Sequence, residues 1–140
     1  MKRAVAGSRS YERSDVEGLL DVMNEKTLSD IETIRRVLVK ERVRIHDIQC
    51  LFLSDGSIII ADPQHVNTEK HDLYSRYMDR SYDSMDEFYF LRRIEATARY
   101  AIAVRSGVIE RPEIDSRFDL FHVASKWAHA LGIIDVCSNM

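Results

Sequence analysis

The densest run of side chains able to do chemistry lies between Asp62 and Asp72, where Asp62, His65, Glu69, His71 and Asp72 fall within eleven residues. Carboxylates and imidazoles that converge on one point can hold a divalent cation or move a proton. Asp62, His65 and Glu69 are the members that a small metal-dependent hydrolase would use. His46 and Asp47 stand at the other end of an intervening hairpin, within reach of Asp62. No spacing in this set matches an established ligand pattern such as His-Glu-x-x-His. The plainer reading is a helix start followed by polar loop residues, so neither a metal nor another cofactor is predicted.

A second group is basic. Arg35, Arg36, Lys40, Arg42 and Arg44 fall within ten residues. The excess is local: residues 1–44 carry a net +2, residues 45–140 a net −5, and the whole chain −3. That balance argues against bulk nucleic-acid binding. A short helix, a turn through residues 24–28, a second helix bearing the basic residues and then a hairpin make a suggestive order. It resembles a winged-helix DNA-binding domain over roughly residues 14–62. The resemblance implies a second helix in the major groove, with the five basic residues on phosphate. The acidic hairpin tip, Ser54-Asp55-Gly56-Ser57, makes a solvated helix face the simpler reading.

A third group lies towards the C-terminus. His122, Ser125 and His129 share one side of a helix, opposite a Leu120/Trp127 stripe, with Phe118 nearby. The two histidines are two turns apart, roughly 10 Å, too far to share a metal. No carboxylate is placed to complete a serine triad. Further upstream, Tyr89 and Tyr100 fall off their helix's apolar stripe, and Arg92 and Arg93 lie between them. Aromatic and arginine residues in such a mixture favour protein interfaces. Tyr89, Arg92, Arg93, Tyr100, Phe118, His122, Ser125 and His129 are therefore the predicted partner or dimer surface.

The elements that must position these groups are mostly helical. Helices are predicted from Ser14 to about Asn24, from Ser29 to about Lys40, over 67–78, from Ser84 to Gly107, and from Pro112 to Gly132. Capping boxes open three of them: Ser14/Glu17, Ser29/Glu32 and Ser84/Glu87. Val16, Leu19, Leu20 and Met23 form one apolar stripe, and Phe88, Leu91, Ile94, Ala98, Ala101 and Ile102 another. The exception is residues 48–61, where two apolar runs flank Asp55-Gly56, a strong type I′ hairpin signal. A two-residue turn pairs Leu53 with Ile58 and Phe52 with Ile59, leaving both faces apolar. Such a hairpin needs a third strand, helices on both faces or a second chain, and Val108-Ile109 and residues 133–136 are candidate extra strands. The predicted fold class is α+β, a mostly helical single domain of about five helices with one antiparallel hairpin. Residues 1–13 read as a loose basic arm and 14–140 as the globular domain.

Two cysteines in 140 residues do not make a disulfide framework, and no run reaches transmembrane length. A reducing cytoplasm is expected, without membrane association. There is no Gly-rich phosphate loop and no nucleophile elbow in the chain. The leading expectation is a non-enzymatic binding or regulatory protein, a homodimer that occupies a protein partner. Accessory or inhibitor proteins of bacteria and phages have this profile. The alternatives are the winged-helix regulator, with nucleic acid as partner, and the metal-dependent hydrolase.

Overall fold

Only Met23 and Asn24 separate the first two helices, and the chemistry of Asn24 explains why. In the computed structural model, which describes residues 4–7, 13–45, 49–61, 66–67, 87–115 and 117–133, α1 spans Arg13–Val22 and α2 spans Glu25–Glu41. The Asn24 side chain accepts from the Lys26 and Thr27 amides, and Thr27 Oγ1 accepts from the Asn24 amide. This reciprocal cap satisfies amides that a helix otherwise leaves unpaired. It starts α2 four residues before the predicted Ser29 box, leaving Ser29 inside the helix. Residues 25–28, expected as the turn of a helix-turn-helix, are helical instead.

The sheet has three antiparallel strands in the order β1-β3-β4, formed by Ala4–Gly7, Gln49–Leu53 and Ile58–Ala61. Residues 4–7, expected within a loose arm, instead pair with β3 across an irregular register. The third strand among the described residues is therefore β1 and not Val108-Ile109. Val108 is exposed beyond a helix end, and residues 134–136 lie outside the described residues. α1 packs on β1 at Gly18, where a Cβ would collide with Val5. A second, two-stranded antiparallel pair joins β2 (Arg44–Ile45) to β5 (Val66–Asn67).

The hairpin is shifted by one residue from the expected pairing. Phe52 lies opposite Ile58, Leu51 opposite Ile59, and Cys50 opposite Ile60. Gly56 donates to the Leu53 carbonyl, Leu53 donates to the Ser57 carbonyl, and Gly56 has φ +90°. This is a three-residue connection, a turn closed by a left-handed glycine, rather than the two-residue type I′ turn. A one-residue slip exchanges the faces of a strand. Cys50 and Phe52 are buried on the inner face with Ile58 and Ile60 packed against the core, while Leu51 and Ile59 point outward and are exposed.

α3 (Glu87–Arg105) is the central helix and packs against α1, α2 and α4 (Leu120–Ala130). Its predicted stripe is buried at Phe88, Leu91, Ile94, Ala98 and Ala101, and burial extends to Ala96, Thr97, Tyr100 and Ala103. The alanines keep the helix surface low enough for neighbours on several sides. α3 ends at the predicted Gly107, in a Schellman motif with Gly107 donating to the Val104 carbonyl and Val108 to that of Ala103. α4 starts later than Pro112, because Asp119 caps it by accepting from the His122 amide. Its buried side runs through Leu120, Phe121, Ala124, Ser125 and Ala128, and Leu131 is exposed. Val37 of α2 is exposed as well. The fold is α+β, with four helices among the described residues; the helix predicted over 67–78 falls mostly outside them.

Gly56 meets two demands at once: a positive φ and the absence of a side chain beside the Asn24 carboxamide. Gly56→Ala is expected to destabilise the fold by roughly 2–3 kcal/mol. The check is urea denaturation; an unchanged midpoint would show that the turn does not need glycine.

Candidate catalytic site

The strand pairings define the frame of the site. α2 closes at Arg42, a C-cap in the left-handed region at φ 53°. The chain then enters β2. Ile45 lies opposite Val66, and Gln49 lies opposite Ala61. Residues 46–48 therefore connect β2 to β3, and residues 62–65 connect β4 to β5, each between the same two pairs of described residues. His46, Asp47, Asp62 and His65 lie outside the described residues. By connectivity, Asp47 is two residues from both Ile45 and Gln49, and Asp62 directly follows Ala61. The described strand ends thus anchor both connections at one end of the hairpin.

The chemistry carried by these connections is that of hard oxygen donors and a proton acceptor. Two carboxylates and the half-buried Gln49 carboxamide can serve magnesium, which favours oxygen ligands. Glu69, His71 and Asp72, the rest of the predicted cluster, also lie outside the described residues. Among the described residues, no group of three or more His, Cys, Asp or Glu residues could hold a metal ion. Cys50, in β3, is not a nucleophile: burial pushes its thiol up to about 12.

The opposite end of the hairpin is held by α2. Asn24 Nδ2 donates to the Asp55 carbonyl at 3.2 Å, and Thr27 Oγ1 donates to the Gly56 carbonyl at 2.6 Å. The Ile58 amide donates to Asp30 Oδ2 at 3.0 Å. Lys26 bonds the other oxygen of Asp30 at 2.6 Å, and that hydrogen bond, with the Asp30 charge, raises the Lys26 pKa. The hairpin is therefore clasped at its turn, and residues 46–48 and 62–65 follow on in the chain from its other end.

The predicted basic cluster is dispersed. Arg35 bonds Glu95 of α3 at 2.9 Å and lies 3.5 Å from Glu32, while Arg36 lies 3.6 Å from Glu32. Lys40 is exposed, Arg42 caps the helix, and Arg44 lies in β2. The predicted partner surface also divides. Tyr100 is buried and meets Trp127 edge-on, with ring centroids 5.5 Å apart, and burial raises its pKa. Ser125 is buried too. Neither is available to a partner, whereas His122 and His129 are exposed. Phe118 packs against the core, Arg92 is half-buried, and Arg93 lies over the Tyr89 ring. Residue types and spacing single out Asp62 and place Asp47 within its reach, but they favour His65 and Glu69 as its companions. The strand pairing that brackets Asp47 with Asp62 has no signal in the local pattern.

Comparison with protein families finds a match over much of the chain. The model of the type III secretion system effector HopBF1 kinase domain matches residues 5–81, more than half of the chain and all of the frame just described. No curated protein and no solved structure matches. A kinase-family match overturns the expectation of a non-enzymatic regulator or inhibitor that acts by occupying a partner. It equally displaces the winged-helix alternative, whose turn is helical here, and the metal-dependent hydrolase. No described helix is long and apolar enough to cross a membrane.

The raised Cys50 pKa has a consequence for stability. Between about pH 9 and 12 the unfolded chain releases this proton while the folded chain keeps it, so stability falls as pH rises through that window. Cys50→Ser is expected to flatten that decline in urea titrations at increasing pH. An unchanged slope would show that the thiol is solvated in the native state.

Proposed function

This chain belongs to the type III secretion system effector HopBF1 kinase domain family, and from that premise we propose that it transfers a phosphoryl group from a nucleoside triphosphate to a hydroxyl group. The observation that carries the proposal is the bracketing of residues 46–48 and 62–65 by the same two strand pairs. Kinases place one aspartate on a catalytic loop to accept the substrate's hydroxyl proton and a second on a following loop to hold magnesium. Asp47, preceded by His46, takes the first role. Asp62, directly after β4, takes the second.

The local sequence departs from the usual kinase pattern. His46 and Asp47 are adjacent, and Asp62 is followed by Pro63-Gln64 instead of Phe-Gly. The residue five positions after Asp47, where such loops carry a metal-binding asparagine, is Phe52, fully buried in the core. Gln49 supplies the carboxamide instead: it opens β3 and lies opposite Ala61, the neighbour of Asp62. The donor set of Asp62 and Gln49 fits a magnesium ion, which when bound neutralises charge on the transferring phosphates. In the step itself, the hydroxyl oxygen forms a bond to the γ-phosphorus. The bond from that phosphorus to the bridging oxygen breaks, and the nucleoside diphosphate leaves. The hydroxyl proton passes to the Asp47 carboxylate.

The compartment proposed is the reducing interior of a cell in which an effector acts. Burial of the Cys50 thiol within β3 is compatible with that setting.

The test is transfer of labelled phosphate from ATP and magnesium to a library of Ser, Thr and Tyr peptides. Wild-type chain is expected to label a subset. Asp47→Asn should lower the rate roughly 100-fold or more, and Asp62→Asn should remove magnesium-dependent transfer. Absence of both transfer and ATP hydrolysis in the wild-type chain would overturn the proposal. Full activity in Asp47→Asn would remove Asp47 from the mechanism.

A further inference from the structure

β4 forms one edge of the three-stranded sheet and turns a row of backbone groups outward. Leu53 donates to the Ser57 carbonyl, and the register then runs Phe52 with Ile58, Leu51 with Ile59 and Cys50 with Ile60. Antiparallel pairs alternate between those that exchange hydrogen bonds and those that do not. Ile59 therefore directs its amide and carbonyl to Leu51, whereas Ile58 and Ile60 turn theirs to the edge. The Ile58 amide obeys this alternation, since it leaves the ladder and donates to Asp30 Oδ2. The Ile58 carbonyl and the Ile60 amide and carbonyl have no partner among the described residues. On the outward face, Ile59 is 47% exposed and lies opposite Leu51, itself 36% exposed.

We propose that this edge accepts an extended segment of a partner protein as a parallel fourth strand, with an aliphatic side chain laid beside Ile59. Such docking is independent of phosphoryl transfer. Its direction is set by Asp30. An antiparallel neighbour exchanges both bonds with one residue, so donating to the Ile58 carbonyl brings its own carbonyl onto the Ile58 amide. The Asp30 carboxylate already occupies that place. A parallel neighbour instead uses one residue to donate to the Ile58 carbonyl and accept from the Ile60 amide. Its residue two positions further on donates to the Ile60 carbonyl. All three free groups are then paired, and Asp30 keeps its bond. The segment's residue opposite Ile59 lies on the outward face and covers apolar surface that Ile59 and Leu51 leave in water. A second copy of β4 does not fit this edge. Two β4 strands related by a twofold axis are antiparallel. Four residues, about 13 Å of strand, also bury far less than the roughly 1,200 Å² of a stable interface between folded proteins. A short extended segment meets both conditions.

The test titrates the isotope-labelled full chain with the capped peptide Lys-Thr-Val-Thr-Val-Thr-Lys, spin-labelled at its N-terminus, and follows backbone amide resonances. Shifts are expected at residues 58–61 at up to about 1 mM peptide, a range suited to so small a contact. Hydrogen exchange at the Ile60 amide, fast in the free chain, should slow roughly 10-fold at saturation, while the Ile59 amide is protected throughout. The label should broaden residues 54–57, next to the start of β4, more than residues 49 and 61. Ile59→Lys should weaken binding roughly 10-fold or more. Asp30→Ala frees the Ile58 amide and should admit an antiparallel mode, with broadening at residues 49 and 61 and self-association beyond that of the wild-type chain. Absence of shifts at Ile60, or broadening strongest at residues 49 and 61 in the wild-type chain, would overturn the proposal. An Asp30→Ala chain that binds the peptide only in parallel would overturn the role given to Asp30. Should Asp30→Ala fail to fold, the direction read by the label in the wild-type chain carries the test.

Discussion

The interaction on which most of this structure depends is the one between the first turns of α2 and the hairpin turn. The same few groups cap the helix and hold the hairpin. Asn24 uses its carboxamide oxygen to receive helix amides and its nitrogen to hold the Asp55 carbonyl. Thr27 closes the cap with one side of its hydroxyl and grips Gly56 with the other. Each such bond contributes about 1 kcal/mol net, but a buried group stripped of its partner costs more than the bond contributed. Helix start and hairpin register are therefore a single cooperative unit. The exposed Lys26 partner of Asp30 adds little to it, because surface ion pairs are largely screened.

α3 holds this unit against the rest of the core. It is buried along most of its length and touches each of the other described helices. Arg35 crosses from α2 to Glu95 of α3, and Arg105 at the end of α3 donates to the Leu20 carbonyl near the end of α1. A cluster with the look of a phosphate-binding face is thus partly the means by which one helix is oriented on another. Guanidinium groups suit that use, since their planar donors pair with carboxylates and carbonyls at defined angles.

Helical periodicity makes the α1 stripe and most of the α3 stripe legible, and Gly107 marks the end of α3 correctly. Residues whose meaning depends on distant partners are not legible. Asn24 outranks Ser29 as a helix start, and its carboxamide is also set by the hairpin turn packed against it. Asp55-Gly56 announces a turn but does not choose between two- and three-residue connections, and that choice decides whether Ile58 or Ile59 faces the core. β1 has too few residues for periodicity to register. Asp62 stands out among the acids, but the kinase role proposed for it is hidden by Phe52 at the expected asparagine position and by Pro63-Gln64 after the aspartate. The proposed pairing with Asp47 rests on the family match together with the register of the flanking strands.

Asp47 and Asp62 are on this reading parts of one phosphoryl-transfer centre suspended between two strand pairs. A double-mutant cycle on kcat, using Asp47→Asn, Asp62→Asn and the combined variant, is the decisive measurement. Groups that act as a unit are strongly non-additive. A shared centre predicts that the double variant is about as slow as the slower single variant. Losses that multiply in the double variant would show two independent contributions and would contradict a shared centre.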